Sequence, residues 1–484
     1  MQARIVAATL LICSSLFAAE PEDPAVALAR ILAAKGTITA AELSTVESSP
    51  AAGRVTALAA MLQRKGLLTR AEGAQFGVTQ TPPAPQSAAV APSTSTGPAQ
   101  RTDRPVTTRT ETSVSLYGTL LMNAFYNTSA NNIQDIPLFL SKQGAGGGND
   151  KNFGMTARQT RLGLRLSASD VAGAKLSGQF EFDLLGGKTP FGNGMDMDIF
   201  RLRLAYGRLD WKNVAVEAGQ DWAIFAPLNP TSLAAFAIPD FSASGNPWIR
   251  LPQVRVEVGA GPRDGSHLLV QAAALDPNAG DYPTATFSSS RQPGIGERGR
   301  MPALETRVAW STPSGGGSLT LGLSGHYDHG RNLAAVGPAF QSVDSWGVAL
   351  DYTVPVSKFF NLTGEAFEGR ALGIFSVTAG EAVGAYGTTG GHGVESRGGW
   401  TQGQLNFTKR WQMNLGYGLE IPNASQLPVG NRWRNQTYMA NIMFKLNPAV
   451  TFAWEYRRIL TDYRNQIFGN ERGDHLNFAA GYIF

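Results

Sequence analysis

Lys175-Leu176-Ser177-Gly178-Gln179-Phe180-Glu181-Phe182-Asp183-Leu184 alternates without a break. In an extended strand successive side chains point to opposite faces. Leu176, Gly178, Phe180, Phe182 and Leu184 therefore share one face, and Lys175, Ser177, Gln179, Glu181 and Asp183 share the other. The apolar face must meet lipid or a core. The charged face decides between the two. A sandwich or a small closed barrel fills its interior with apolar side chains, whereas an apolar exterior around a charged interior belongs to a membrane barrel with a wet lumen.

The same period extends outward from this stretch. Phe200, Leu202, Leu204 and Tyr206 alternate with Arg201 and Arg203. Trp411, Met413, Leu415, Tyr417 and Leu419 alternate with Gln412, Asn414, Gly416, Gly418 and Glu420. Sixteen strands are predicted, at 113–127, 155–168, 173–185, 199–209, 213–222, 249–258, 266–275, 303–311, 317–327, 342–352, 358–369, 399–408, 411–420, 434–445, 449–459 and 474–484. Most have the length that a tilted membrane strand needs. Their connections alternate. The even ones are short, from 409–410 up to 259–265, and the odd ones are long, as at 128–154, 223–248 and 370–398. An up-and-down membrane barrel has short turns at one end and long loops at the other, and a soluble sandwich has no reason for that rhythm. The expected fold is all-β: a 16-stranded antiparallel transmembrane barrel over 113–484, wide enough for an aqueous channel. Tyr126, Tyr206, Trp211, Trp222, Trp310, Tyr327, Trp346, Tyr352, Trp400, Trp411 and Trp454 cluster near strand ends and are read as interfacial girdles.

The rest of the chain supports export. Arg4 followed by the apolar run Ile5–Phe17 and by Ala18-Ala19 reads as a signal peptide over 1–19, too short to span a bilayer as a helix. Cys13, the only cysteine, lies inside it, which removes disulfides and thiol chemistry from the mature chain. No later run of 18 apolar residues occurs, and a net charge of +4 on 484 residues does not point to nucleic acid. Between the signal and the barrel lie two further regions. Residues 20–78 form a helical unit with a 30-residue repeat: Lys35-Gly36 and Lys65-Gly66 each end a helix, and Thr39-x-x-Glu42 and Thr69-x-x-Glu72 each open the next as a capping box. Its narrow apolar stripe predicts self-association. Residues 79–112, rich in Pro, Ala, Ser and Thr, read as an extended, disordered linker.

By strand parity the inward basic residues are Arg161, Arg165, Arg201, Arg203, Arg255, Arg307 and Arg457. The inward acids are Glu181, Asp183, Glu217, Asp221, Glu257 and Glu305, joined by Asp351, Glu365 and Glu455. Arg161, Arg165, Arg201 and Arg203 are concentrated in early strands with the acids of the intervening strand between them. Such a ladder sets up a transverse field that orients anions or zwitterions. The same residues also fit a simpler arrangement, in which pairs satisfy one another along the wall.

Several stretches resemble the DcaP-like porins: Ala157-Arg158-Gln159-Thr160-Arg161-Leu162-Gly163-Leu164, Gly178–Asp183, Phe200–Gly207, Ala218-Gly219-Gln220-Asp221-Trp222 and Trp248–Arg255. The likeness covers the first third of the barrel, and the remainder follows in pattern only. It implies a homotrimer of sixteen-stranded channels in the bacterial outer membrane, held among lipid and lipopolysaccharide. It also implies a helical extension in the periplasm and passive uptake of small polar, anionic, dicarboxylate-like solutes. The duplicated helical unit and Asp221, where the family more often has an uncharged residue, are departures. By porin analogy the third long connection, 223–248, is a constriction loop folded into the pore, with Pro227, Pro230, Pro239, Pro247 and a single charge, Asp240. The final alternation Leu476, Phe478, Ala480, Tyr482, Phe484 resembles the signal read by outer-membrane assembly machinery.

Two other functional classes use the same barrel differently. A barrel hydrolase would need a catalytic constellation, but there is no Gly-x-Ser-x-Gly elbow or phosphate loop, and no cofactor or metal is expected. His326-Tyr327-Asp328-His329 is a weak metal or base signal without a convergent third ligand. An envelope tether would use 20–78 to hold peptidoglycan or a periplasmic partner, with the barrel as anchor.

Overall fold

The computed structural model describes residues 23–34, 38–65, 75–76, 106–107, 112–142, 151–190, 196–262, 264–277, 293–315, 317–333, 340–375, 393–464 and 470–484. The chain divides into two compact units, 1–100 and 101–484. The expected export signal, the glycines at 36 and 66, the second capping box at Thr69 and most of the expected linker lie outside the described residues.

In the first unit, helices α1 (Pro24–Ala34), α2 (Ala40–Ser48) and α3 (Arg54–Arg64) pack around Ala29, Ile38, Val46, Leu58 and Met61. The capping box opening α2 forms as read. Thr39 Oγ1 accepts the Glu42 N–H, and the Thr39 N–H donates to Glu42 at 2.7 Å. That bond, with Lys65 at 3.0 Å, holds the Glu42 carboxyl below its usual range. Asp23 is lowered likewise, by the Ala25 N–H and then by Arg54. The three helices thus bury a small core within one chain, while Leu28, Ile31 and Val55 stay exposed.

The second unit is a closed antiparallel barrel of sixteen strands. In chain order they are β1 (Ser113–Asn127), β2 (Arg161–Val171), β3 (Ala174–Asp183), β4 (Arg201–Asp210), β5 (Val214–Trp222), β6 (Arg250–Ala260), β7 (His267–Leu275), β8 (Ala303–Ser314), β9 (Gly317–Leu333), β10 (Phe340–Ser357), β11 (Phe360–Arg370), β12 (Glu395–Asn406), β13 (Trp411–Pro422), β14 (Arg432–Lys445), β15 (Val450–Tyr463) and β16 (Asn470–Ile483). Each pairs with the next, and β16 returns to β1 from Thr119↔Ile483 to Asn127↔His475. All sixteen expected strands are present. The expected strand 155–168 is broken: Asn152–Thr156 pairs with the upper part of β1, a turn closes at Ala157–Thr160, and β2 pairs with the lower part. Val106–Thr107, inside the expected linker, pairs with the start of β1. β9 and β10 run further than predicted, which shrinks their connection to 334–339. The two-residue turn Ala172-Gly173 has φ of 52° and 72°, the backbone that a type I′ hairpin needs.

The two faces are sorted as the alternation demands. Val254, Val256 and Val258 on β6, Leu304 and Val308 on β8, and Leu321 and Leu323 on β9 are exposed on the outside. Gln253, Arg255, Glu257, Glu305 and Arg307 between them are buried inside. Two aromatics assigned to the girdles are not there. Trp400 is buried in the interior, donating its Nε1–H to Glu365 at 3.0 Å. Tyr206 also faces inward, its hydroxyl donating to Gln179 at 3.0 Å. The cause in β4 is a bulge at Arg203: Glu181 pairs with Leu204 and Phe182 with Leu202, so Arg203 is an extra residue. Parity flips beyond it. Leu204, Tyr206 and Arg208 turn inward, against the expectation that Leu204 and Tyr206 share the outer face with Phe200 and Leu202.

Candidate functional site

The segment 223–249 does not project from the barrel. It folds into it, and residues 223–226, 233–235 and 237–248 are buried. Its composition explains how an irregular backbone can run there. The four prolines carry no N–H to satisfy. Many of the remaining backbone groups are met by side chains from the wall. Glu305 accepts the N–H groups of Ile224 and Phe225 at 2.9 and 3.0 Å. Gln402 accepts Thr231 N–H at 2.9 Å, and Asn441 donates to Thr231 O at 3.0 Å. Asn123 donates to Leu233 O, and Asn435 to Ala243 O. Gln159 alone makes four bonds: it accepts from Phe236 and Ala237 N–H and donates to Ala234 O and Asn123 Oδ1.

Packing follows the same division of labour. Phe241 lies over the inward glycines Gly416 and Gly418, where an added Cβ would come within 2.6 and 2.7 Å of its ring. Trp400 stacks on Phe241 with centroids 6.0 Å apart. Phe225 occupies the space left by Gly347 and meets Phe375 at 4.8 Å. The loop's one charge, Asp240, is spent on Arg457 at 2.9 Å, and Glu455 bonds the same guanidinium. Arg457 and Asp240 therefore anchor the loop, and Arg457 is buried between two carboxylates.

The predicted charges fall into separate groups. The bulge places Arg201 and Arg203 side by side facing β3. Arg201 grips Asp183 in a two-point fork at 3.0 and 2.6 Å, and Arg203 bridges Glu181 at 2.7 Å and Asp183 at 3.0 Å. Both guanidiniums also donate to Ala237 O of the loop. Arg161 joins them, donating to Phe236 O at 2.8 Å and lying over the Phe236 ring at 3.9 Å. Three guanidiniums here share two carboxylates. A fourth, Arg250, lies against the rings of Trp222 and Trp248 at 4.7 and 5.1 Å, its buried Nη1 without a hydrogen-bond acceptor. This group is cation-rich and lies at the edge of the loop.

Arg165 is not part of it. It sits nearer the short-turn end, exposed, over the Tyr117 ring at 3.8 Å. Further along that wall the balance reverses. Arg208 and Arg255 are surrounded by Asp210, Glu217, Asp221 and Glu257, with contacts from 2.6 to 3.4 Å. On the far wall Arg307 is paired two-point with Asp351 and held by Gln271. Gln159, Arg208 and Arg250 escaped the sequence reading. Arg208 was hidden by the bulge, Gln159 sits in the turn before β2, and Arg250 is outward by parity. His326 and His329 cannot share a ligand: His326 faces in, 3.3 Å from Glu305, and His329 faces out, 2.7 Å from Asp344. Among the described residues no group of three or more metal-binding side chains occurs.

No protein-family model and no curated protein matches the chain. Solved structures do. The outer-membrane channel DcaP of Acinetobacter baumannii aligns over 78% of this chain and 99% of its own, with a TM-score of 0.57 at 19% identity. This chain has a porin fold. An anion-selective porin from Comamonas acidovorans covers 77% of this chain and 100% of its own (TM-score 0.49, 15% identity), and OprB of Pseudomonas putida covers 77% and 94% (TM-score 0.49, 12% identity). The likeness to DcaP expected from residues 157–255 thus holds for the whole barrel at the level of fold.

Proposed function

We propose that the protein is an outer-membrane porin that passes small anionic solutes by diffusion, its short turns toward the periplasm and its long loops outside. One observation carries the anionic part: Arg161, Arg201 and Arg203 outnumber Glu181 and Asp183 at the edge of the inserted loop, and the Arg161 and Arg201 side chains stay 20% and 25% exposed. Guanidinium forks match carboxylates in two-point geometry, so a dicarboxylate fits such a rim. The segment 223–248 acts as the constriction, because its backbone is pinned from several sides and its own charge is neutralised. Homotrimer assembly, contact with lipopolysaccharide and a periplasmic place for 20–78 belong to the same proposal and rest on the family resemblance; cleavage near residue 19 rests on the pattern of residues 1–19, and peptidoglycan contact through 20–78 is the tether reading, compatible with transport. Neither catalysis nor a cofactor is part of it.

Planar-bilayer recording in a KCl gradient tests the reading. The expected result is stable conductance with anion preference, reduced by adding a dicarboxylate and weakened in Arg201→Gln with Arg203→Gln. Cation preference in the wild type overturns the anionic assignment and leaves the porin. No conductance from a correctly folded barrel overturns both.

A further inference from the structure

A second basic cluster lies outside the interior, and transport makes no use of it. Three hairpin turns are neighbours along the sheet: 358–359 joins β10 to β11, 407–410 joins β12 to β13, and 446–449 joins β14 to β15. Between them is a groove of about 560 Å³ lined by Lys358, Lys409, Arg410 and Lys445 together with Phe359, Phe407 and Trp411. The turns are tied to one another, Lys445 N–H donating to Arg410 O at 2.8 Å and Asn406 N–H to Phe359 O at 2.7 Å, so the cations stand on ordered backbone.

Among the described residues no Asp or Glu side chain forms an ion pair with these four cations. The sequence has no Asp or Glu between Asp351 and Glu365, between Glu395 and Glu420, or between Glu420 and Glu455. Other short turns are balanced or neutral, as at Asp210-Trp211-Lys212 and at 312–315. Uncompensated cations are therefore concentrated on one flank. The same flank exposes large apolar rings: Phe359 is 54% and Phe407 55% exposed, and Lys358 Nζ lies 4.8 Å from the Phe359 centroid. Aromatic rings at headgroup level with long cationic side chains reaching past them are the arrangement of a lipid interface.

We propose that this groove holds the phosphate headgroup of an anionic phospholipid in the leaflet at the short-turn end. The proposal rests on the outer-membrane reading above, in which that leaflet is phospholipid. A free phosphate would use the four cations but would leave Phe359, Phe407 and Trp411 without a partner. A lipid uses both, the headgroup on the cations and the chains along the rings.

The test is native mass spectrometry of the full-length protein in detergent, offered equal amounts of phosphatidylglycerol and phosphatidylethanolamine. Phosphatidylglycerol adducts should dominate by roughly tenfold, the attraction of a few clustered cations for one anionic headgroup. In the combined variant Lys358→Gln, Lys409→Gln, Arg410→Gln, Lys445→Gln that preference should vanish, while single-channel conductance in phosphatidylcholine bilayers stays at the wild-type value. Three results overturn the proposal: equal adducts in the wild type, an undiminished preference in the variant, or displacement of the lipid by millimolar inorganic phosphate alone. Displacement by lipid A in place of phosphatidylglycerol overturns the assignment to the short-turn leaflet. Conductance is read separately, so a failed lipid preference leaves the porin standing, and absent conductance removes the porin on its own.

Discussion

Gln159→Leu is the most informative single change. The side chain is fully buried and makes four hydrogen bonds, three of them to the backbone of Ala234, Phe236 and Ala237. Leucine has similar bulk and no polar atoms. The fourth bond goes to Asn123 on the wall, so with each of the three loop bonds worth about 1 kcal/mol net, the docked loop loses about 3 kcal/mol relative to a detached one, over a hundredfold in their ratio. Water entering beside the loop recovers part of this, so about 2 kcal/mol is the lower expectation. The loop should spend measurable time off the wall. Single-channel traces should show added open-state noise and a larger mean conductance, with a lower denaturation temperature by heated gel shift. Conductance, noise and melting all equal to wild type would refute the claim that wall side chains position the loop.

Removing Arg457 should be worse than removing its whole group. Arg457→Met leaves Asp240 and Glu455 buried without their shared cation and should destabilise the barrel by about 3–5 kcal/mol, whereas adding Asp240→Asn should recover a large part, read as thermal midpoints of the three proteins. The helical unit should be acid-sensitive. Glu42 and Asp23 have lowered folded values, so their contributions are present above the ordinary 4.5 and 3.8 and are lost as pH falls through the lowered ones. Hydrogen exchange of peptides covering 39–48 should be slower at pH 6 than at pH 3 after correction for intrinsic rates, by a modest factor because both carboxylates are partly exposed.

The fold was legible because its signals repeat. A period of two on sixteen segments, with alternating short and long connections, survives errors of a few residues in any one strand. The site was less legible because parity assumes an unbroken ladder. One extra residue at Arg203 turned Leu204, Tyr206 and Arg208 to the opposite face, and nothing in Phe200–Asp210 marks it, since Arg201 and Arg203 look inward under either count. Trp400 was misplaced for a different reason. Its position on β12 is inward by alternation with Ser396 and Gln402, but a tryptophan near a strand end suggests a girdle, and only the inserted Phe241 explains a large ring inside. Gln159 gave no signal at all, because its role is set by the backbone of a loop seventy-five residues away.

The pairing of β1 with β16 has a kinetic consequence. Leu120 meets Tyr482 across this seam, and Gly118 and Phe484 exchange backbone hydrogen bonds at 3.0 and 3.1 Å. Every other junction in the barrel joins strands adjacent in sequence and can zip as a local hairpin. This one encloses the entire sheet, so its loop-closure entropy comes due at once and only after the others are in place. Until then two unpaired edges are open to a neighbouring chain. The seam is accordingly expected to be the slow step of folding and the point where an unfinished barrel is recognised, rescued or lost.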